Sequence, residues 1–307
     1  MALLNYTQQK KVGRVVFHIV VVFLCFLMTY PLLYMLFSSF KTAQDIFQHP
    51  NSLFPQEWCF DNYPNGWRGF GGVTFTTFFG NSLFVTILAV LGQVASSSLV
   101  AYGFARCNFK GRSIWLAIMI VSMMMPAQVL IIPQYIMFNS FGWINTFLPL
   151  IVPGYFGYPF FIFLIYQFMQ GIPRDLDEAA FIDGCSKYGI YIRIILPLVK
   201  PALVTSLIFA TYWKWDDFFG PMIYLSDVKK YTISIALKMF TDPTSVSDWG
   251  ASYAMAMLSV LPVIILFFCF QKYLVEGIST TGMKGCFFPV PCGCAQKAQA
   301  CFFAALR

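Results

Sequence analysis

Two short groups of residues carry the reactive side chains of this chain. The first is Glu178-Ala179-Ala180, followed after three residues by Gly184 and after nine more by Ile194-Ile195-Leu196-Pro197. Small residues beside an acid make a shallow, charged patch that another protein's backbone can approach, and Gly184 admits a turn that a β-carbon resists. The second is Trp213-Lys214-Trp215-Asp216-Asp217-Phe218-Phe219-Gly220-Pro221, where three ionisable side chains interrupt an apolar run. Lys214 and Asp217 are three apart and share a helical face, so an ion pair can join them and leave Asp216 seeking a partner. Trp215 and Asp216 together offer an indole face and a carboxylate acceptor, a means of holding a carbohydrate ring and its hydroxyls. Interhelical structural contacts are the competing role for Trp215, Asp216 and Asp217.

The elements that position these groups are set by composition. With 58% hydrophobic and 11% charged residues and a mean hydropathy of +0.68, the 307-residue chain has more apolar surface than a soluble domain can bury. The expected class is an all-α membrane protein. A helical crossing needs roughly 20 mainly apolar residues, and six candidates are present: Val15 to Phe40, Asn81 to Ala105, Ser113 to Phe138, Thr146 to Met169, Pro201 to Leu225 and Ala251 to Val275. The first is too long for a signal peptide and lacks a cleavage site, so it is expected to be retained, with the mature chain beginning near Met1.

Basic residues set the orientation. Lys10, Lys11 and Arg14 precede the first span; Arg106, Lys110 and Arg112 follow the second; Arg174, Lys187, Arg193 and Lys200 follow the fourth; Lys272 and Lys284 follow the last. The expected arrangement is a multi-pass protein of the cell membrane with residues 1–14 and the C-terminus both cytoplasmic. The net charge of +7 is then largely a topology signal, and nucleic-acid binding drops out. The outward connection from Lys41 to Gly80 reads as irregular structure with turns, and the one from Ser226 to Gly250 has a polar tip from Asp242 to Asp248.

The Glu-Ala-Ala group falls between the fourth and fifth spans, in a cytoplasmic hairpin covering residues 171–200. Pro173 ends the preceding helix, and Asp175 with Glu178 forms a capping-box pattern that predicts a short helix from about Leu176. Lys187 to Leu196 predicts a second amphipathic segment with Tyr188, Tyr191, Ile192 and Ile195 on one side. Pro126 and Pro133 should bend the third span. Thr86, Gln93, Ser96, Ser97 and Ser98 suit helix-to-helix contact in the second.

The spacing Glu-Ala-Ala, three residues, Gly, nine residues, Ile-x-Leu-Pro resembles the EAA loop of binding-protein-dependent ABC importers. Tyr30-Pro31-Leu32-Leu33 through Ser38-Ser39-Phe40-Lys41, Asn81-Ser82-Leu83, Ala101-Tyr102-Gly103-Phe104-Ala105-Arg106 and Gly282-Met283-Lys284-Gly285 look like the carbohydrate-type permeases related to the second maltose permease subunit. The resemblance implies a type I ABC importer permease domain with six transmembrane helices over residues 15–285 and a cytoplasmic coupling helix. It implies that Glu178, Ala179, Ala180, Gly184, Ile194, Leu196 and Pro197 dock on an ATPase. It further implies a second homologous permease, two ATPase subunits that hold ATP and magnesium, and an extracytoplasmic solute-binding protein, in an importer of sugars or oligosaccharides. The Trp-Asp-Asp-Phe segment departs from the family's Trp-Asn-Asp/Glu-Phe-x-x-Pro signature by carrying Asp216 where Asn is usual.

No Gly-rich phosphate loop ending in Lys-Ser/Thr is present, so the chain is not expected to be an enzyme or to bind a cofactor itself. A secondary transporter or channel for a small polar solute is the rival class, and it leaves the EAA spacing unexplained. An intramembrane hydrolase is disfavoured because Asp216 and Asp217, being adjacent, diverge by about 100° on a helix. The nine cysteines form no disulfide framework. Residues 286–307, with Cys286, Cys292, Cys294 and Cys301, run past the point where such permeases usually stop. Their spacing fits no structural zinc site, so the expectation is a dispensable or disordered extension and no metal.

Overall fold

The computed structural model describes residues 6–240 and 248–282, with side chains described for 13–126, 128–240 and 248–272. The expected tip from Asp242 to residue 247, the Met283-Lys284-Gly285 motif and the 286–307 extension lie outside the described residues. In chain order the helices are α1 (Tyr6–Ser38), α2 (Ala43–Gln48), α3 (Asn62–Arg68), α4 (Phe75–Arg106), α5 (Arg112–Ser122), α6 (Ala127–Ser140), α7 (Leu148–Ile151), α8 (Pro159–Gln170), α9 (Asp175–Ile182), α10 (Lys187–Ile190), α11 (Leu196–Leu198), α12 (Lys200–Trp215), α13 (Phe219–Tyr224), α14 (Ile233–Phe240) and α15 (Trp249–Gly282).

Among the described residues, four stretches are each long and apolar enough to cross a membrane: Gly13–Ser38, Phe75–Arg106, Leu148–Gln170 and Trp249–Lys272. Six unbroken spans, one per apolar segment, are therefore not what forms. The expected third span is divided into α5 and α6 at Met123–Pro126. Pro126 has no N–H to donate and its ring disfavours helical backbone at Met125, so the ladder stops there. The expected fifth span stops at Trp215 and resumes as α13, with Asp216 and Asp217 in the break. The fourth contains a 3₁₀ turn at Val152–Phe156 and non-helical Gly157 and Tyr158 before α8.

The core is arranged around α4, which packs against α8, α12 and that 3₁₀ turn, while α15 packs on α12, α14, α3 and α1. Glycine permits the tightest approach. A β-carbon on Gly154 would stand 2.9 Å from the Ala89 carbonyl oxygen, and one on Gly92 would stand 2.5 Å from the Tyr155 ring. Ser96 Oγ crosses the same contact to donate to the Gly154 carbonyl (3.1 Å), and the Tyr158 N–H donates to Ser97 Oγ (3.0 Å). Small and hydroxylated side chains thus join the helices where bulk would separate them.

The connection after α1 is more ordered than its Pro and Gly content suggests. It contains α2 and α3, and Asn62 Nδ2 donates to the carbonyls of Ser39 (2.9 Å) and Lys41 (2.8 Å). Lys41 is fully buried: its ammonium donates to the Ser52 carbonyl and hydroxyl and lies 5.3 Å from the centre of the Tyr34 ring. Backbone acceptors and an aromatic face replace the water that a buried ammonium loses.

Candidate functional site: the interhelical hairpin and the Trp215 cavity

The Glu-Ala-Ala group opens a hairpin made of α9, α10 and α11. Helix α9 starts at Asp175, within one residue of the expected start, but no capping box forms: Arg174 is the N-cap residue and no side chain caps the helix. The acids Asp175, Asp177 and Glu178 instead fill its first turn, where they face the positive end of the helix dipole. Gly184 closes α9 with a φ of +80° in open space, the left-handed turn that its lack of a β-carbon allows. Ser186 then caps α10 by accepting from the Gly189 N–H (3.2 Å).

The second half of the hairpin is not one amphipathic helix. After α10 the backbone widens into a π turn at Tyr191–Ile195, then bends by 76° between Lys187–Leu198 and Lys200–Trp215. Pro197 and Pro201, which lack a backbone donor, flank the bend. The wider turn changes the register: Tyr191 and Ile195 turn inward, whereas Tyr188 and Ile192 are exposed. Residues predicted to share one face are thereby divided between two.

The two alanines are divided as well. Ala179 is exposed, but Ala180 is 6% exposed and packs with Tyr102, Ile165 and Met169, so only Ala179 belongs to the outer patch. Ile194 and Leu196 are half-buried and Pro197 is exposed. Glu178, Ala179, Phe181 and Ile182 present an outer edge on which Ile182 is 85% exposed, with Tyr188 close by in sequence at 74%.

What holds the hairpin was not read from its own sequence. Arg106, at the end of α4, lies with its Nε 3.1 Å from Asp177 Oδ2 and donates to the carbonyls of Met169 (3.2 Å) and Ile172 (2.9 Å). The Tyr102 hydroxyl donates to the Lys187 carbonyl (3.0 Å), and Ser98 Oγ lies 2.9 Å from the Tyr191 hydroxyl. Tyr102, Arg106, Asp177 and Lys187 line an open cavity of about 310 Å³ together with Glu178, Phe181 and Ile182. The available signal was the four-residue spacing of Ser98, Tyr102 and Arg106.

At the second site, the helix break decides each role. The Lys214 ammonium and Asp217 Oδ2 are 3.1 Å apart, the expected pair. Asp217 Oδ1 also accepts from the Gly220 N–H (3.0 Å), which anchors the start of α13. Asp217 is thus engaged in structure. The Trp215 indole donates to the Ser259 carbonyl (2.9 Å) and packs edge-on against Phe79. Asp216 is exposed, and its side chain has no partner among the described residues. It faces a cavity of about 260 Å³ together with Tyr212, Trp215, Ser234, Ser259 and Val263. Tyr212, Ser234 and Ser259 went unnoticed in the sequence because they come from three different helices or their edges.

A chain with this helical framework and hairpin has known relatives. Residues 94–280 match the family described as binding-protein-dependent transport system inner membrane component. A probable ABC transporter permease protein, YurM of Bacillus subtilis (strain 168), is 39% identical over 83% of this chain and 84% of its own length. The arabinooligosaccharides transport system permease protein AraQ of the same organism is 31% identical over 92% of this chain and 100% of its own. The crystal structure of a bacterial ABC transporter involved in the import of the acidic polysaccharide alginate contains a chain of the same fold. Its TM-score is 0.77 at 22% identity, covering 88% of this chain and 99% of that one. The matched region includes the hairpin, the break at Asp216 and the end of α4 from Val94 to Arg106, so this chain belongs to the inner-membrane components of binding-protein-dependent transport systems.

Proposed function

We propose that this permease imports a sugar or oligosaccharide and that its hairpin is the element through which ATP hydrolysis in a partner drives it. In that reading the six crossings are α1, α4, the broken pair α5–α6, α7–α8, α12–α13 and α15. The hairpin and both chain ends are cytoplasmic. A second homologous permease completes the pathway, two ATPase subunits bind the hairpins with ATP and magnesium, and a solute-binding protein delivers substrate from outside. The chain itself hydrolyses nothing and binds no cofactor. Import of sugars is supported by AraQ's name and by the Trp215–Asp216 cavity, in which an indole face, a free carboxylate and three hydroxyl-bearing residues converge.

One observation carries the coupling assignment. The hairpin buries one face against α4 and α8 while Glu178, Ala179, Phe181, Ile182 and Tyr188 stay exposed on the other. Large apolar side chains in a charged connection, away from the lipid-facing spans, fit a protein partner better than water. Ala179, Phe181 and Ile182 provide its apolar contact, Glu178 its charge, and Gly184, Ile194, Leu196 and Pro197 the turn and bend that set its angle.

The test is a thiol crosslink from Ile182→Cys or Ala179→Cys to the co-expressed ATPase, with and without ATP. Ala180→Cys is a poor probe because that position is buried. An ATP-sensitive crosslink is the expected result. Its absence from a complex in which ATPase and permease copurify would remove the coupling assignment from this hairpin and place the ATPase contact elsewhere on the permease.

A further inference from the structure

Three side chains one turn apart on α4 each hold a different part of the hairpin. Ser98 meets the Tyr191 hydroxyl, Tyr102 donates to the Lys187 carbonyl, and Arg106 pairs with Asp177 on α9. Spacings of four residues place them on one helical face. The Tyr102 and Tyr191 rings, 5.0 Å apart, close the gap between the first two contacts. The stripe therefore grips α9, the start of α10 and the π turn at once. Arg174 adds a bond back to the Ala105 carbonyl (3.4 Å).

The charged end of this stripe is enclosed: the Arg106 side chain is 6% exposed and that of Asp177 is 20%. A guanidinium so far removed from water resists separation from its carboxylate, because parting them strands a desolvated charge. The covalent routes out of the hairpin are less rigid. Toward α12 the chain passes through the π turn and the 76° bend, and toward α8 it passes through Gly171-Ile172-Pro173.

Helix α4 differs from the other long helices. Of the three described helices longer than 30 residues, α1 and α15 carry Pro31 and Pro262 inside them, whereas α4 runs for 32 residues without a proline. Its other end reaches the second site, where Phe79 packs on Trp215 at 5.6 Å between ring centres. From Phe79 to Arg106 an unbroken helix spans about 40 Å. One rod thus touches the hairpin at one end and the cavity-lining tryptophan at the other.

We propose that α4 transmits displacement of the hairpin to the Trp215 site, with Ser98, Tyr102 and Arg106 as positioning residues and the Arg106–Asp177 pair as its fixed end. The proposal rests on the reading of the hairpin as the ATPase-docking element. It assigns Asp177 the anchoring contact of α9, while Glu178, Phe181 and Ile182 remain exposed.

The experiment uses the whole complex in liposomes, with native cysteines replaced by serine and spin labels at Ile87→Cys on α4 and Ile265→Cys on α15. The distance between labels is measured without nucleotide and with ATP, magnesium and vanadate. Asp177→Lys is expected to abolish the ATP-dependent distance change and uncouple hydrolysis from uptake while the ATPase still copurifies. Asp177→Glu, which keeps the carboxylate, should retain both. Should Asp177→Lys fail to insert, Asp177→Asn takes its place, with a weakened distance change expected. A full distance change in the inserted charge-removing variant would overturn the proposal. Loss of the ATPase from that variant would also overturn it, by moving Asp177 to the docking surface. Failure of the Ile182→Cys crosslink is a separate outcome that removes the docking reading itself.

Discussion

Asp216 and Asp217 are adjacent and chemically identical, yet the helix break gives them different work. Asp217 spends both oxygens, one on Lys214 and one on the Gly220 N–H, whereas Asp216 faces the cavity with its acceptors open. Asp217→Ala should therefore lower the stability of the purified permease by about 1–3 kcal/mol, through an unpaired ammonium and a lost anchor for α13. Asp216→Ala should leave the melting temperature near that of the parent. If a substrate hydroxyl donates to its carboxylate, the same change should weaken uptake affinity by roughly 10- to 100-fold, the worth of one charged hydrogen bond. Thermal melts and uptake curves on both variants check the division, and a reversed pattern would exchange the two roles. The sequence contained the Lys214–Asp217 pairing, because a spacing of three is a local property. It did not contain Ser234 and Ser259, which reach the cavity by folding.

Helix packing depends on a few positions without bulk. Gly92 and Gly154 both sit where α4 meets the 3₁₀ turn, but they face different neighbours. A β-carbon at Gly92 meets the Tyr155 side chain, which can rotate away, whereas one at Gly154 meets the Ala89 backbone carbonyl, which cannot. Gly154→Ala should thus cost more than Gly92→Ala, with overpacking of about 1–3 kcal/mol at the former. Differential scanning of both variants in detergent gives the order directly; equal melting points would show that α4 yields as easily as a side chain. At this scale the apolar stretches foretold where most long helices lie. Pro126 signalled an interruption of Ser113 to Phe138, where the helix does break, whereas the apolar pattern alone showed neither that break nor the division of Pro201 to Leu225 at Asp216. Hydropathy sums over a window and is insensitive to whether one backbone hydrogen bond within it can form.

The chain is a multi-pass membrane permease component whose described residues are mostly helical. The orientation inferred from Lys110, Arg112, Lys187 and Lys200 predicts that Lys110→Cys reacts with an impermeant thiol reagent only from the cytoplasmic side. Ser226→Cys should react only from outside. Both positions are exposed, so a reversed pattern would reverse the topology rather than report burial. The same orientation sets the proposed coupling edge and the cavity at Asp216 apart, joined by α4.

Composition, apolar patterning and one spaced motif were enough to determine that this chain is mostly helical, that it lives in lipid, and which family it belongs to. Those properties are sums over many residues or patterns along the chain, so they survive in one dimension. Only the tertiary structure decided that Ala180 faces inward while Ala179 faces out, that Asp177 is held by Arg106, and that a continuous α4 links the hairpin to Trp215. Each of these depends on side chains far apart in the chain meeting across a packed interface. Contact of that kind is determined by where prolines break helices and glycines let them close, and local spacing does not record it.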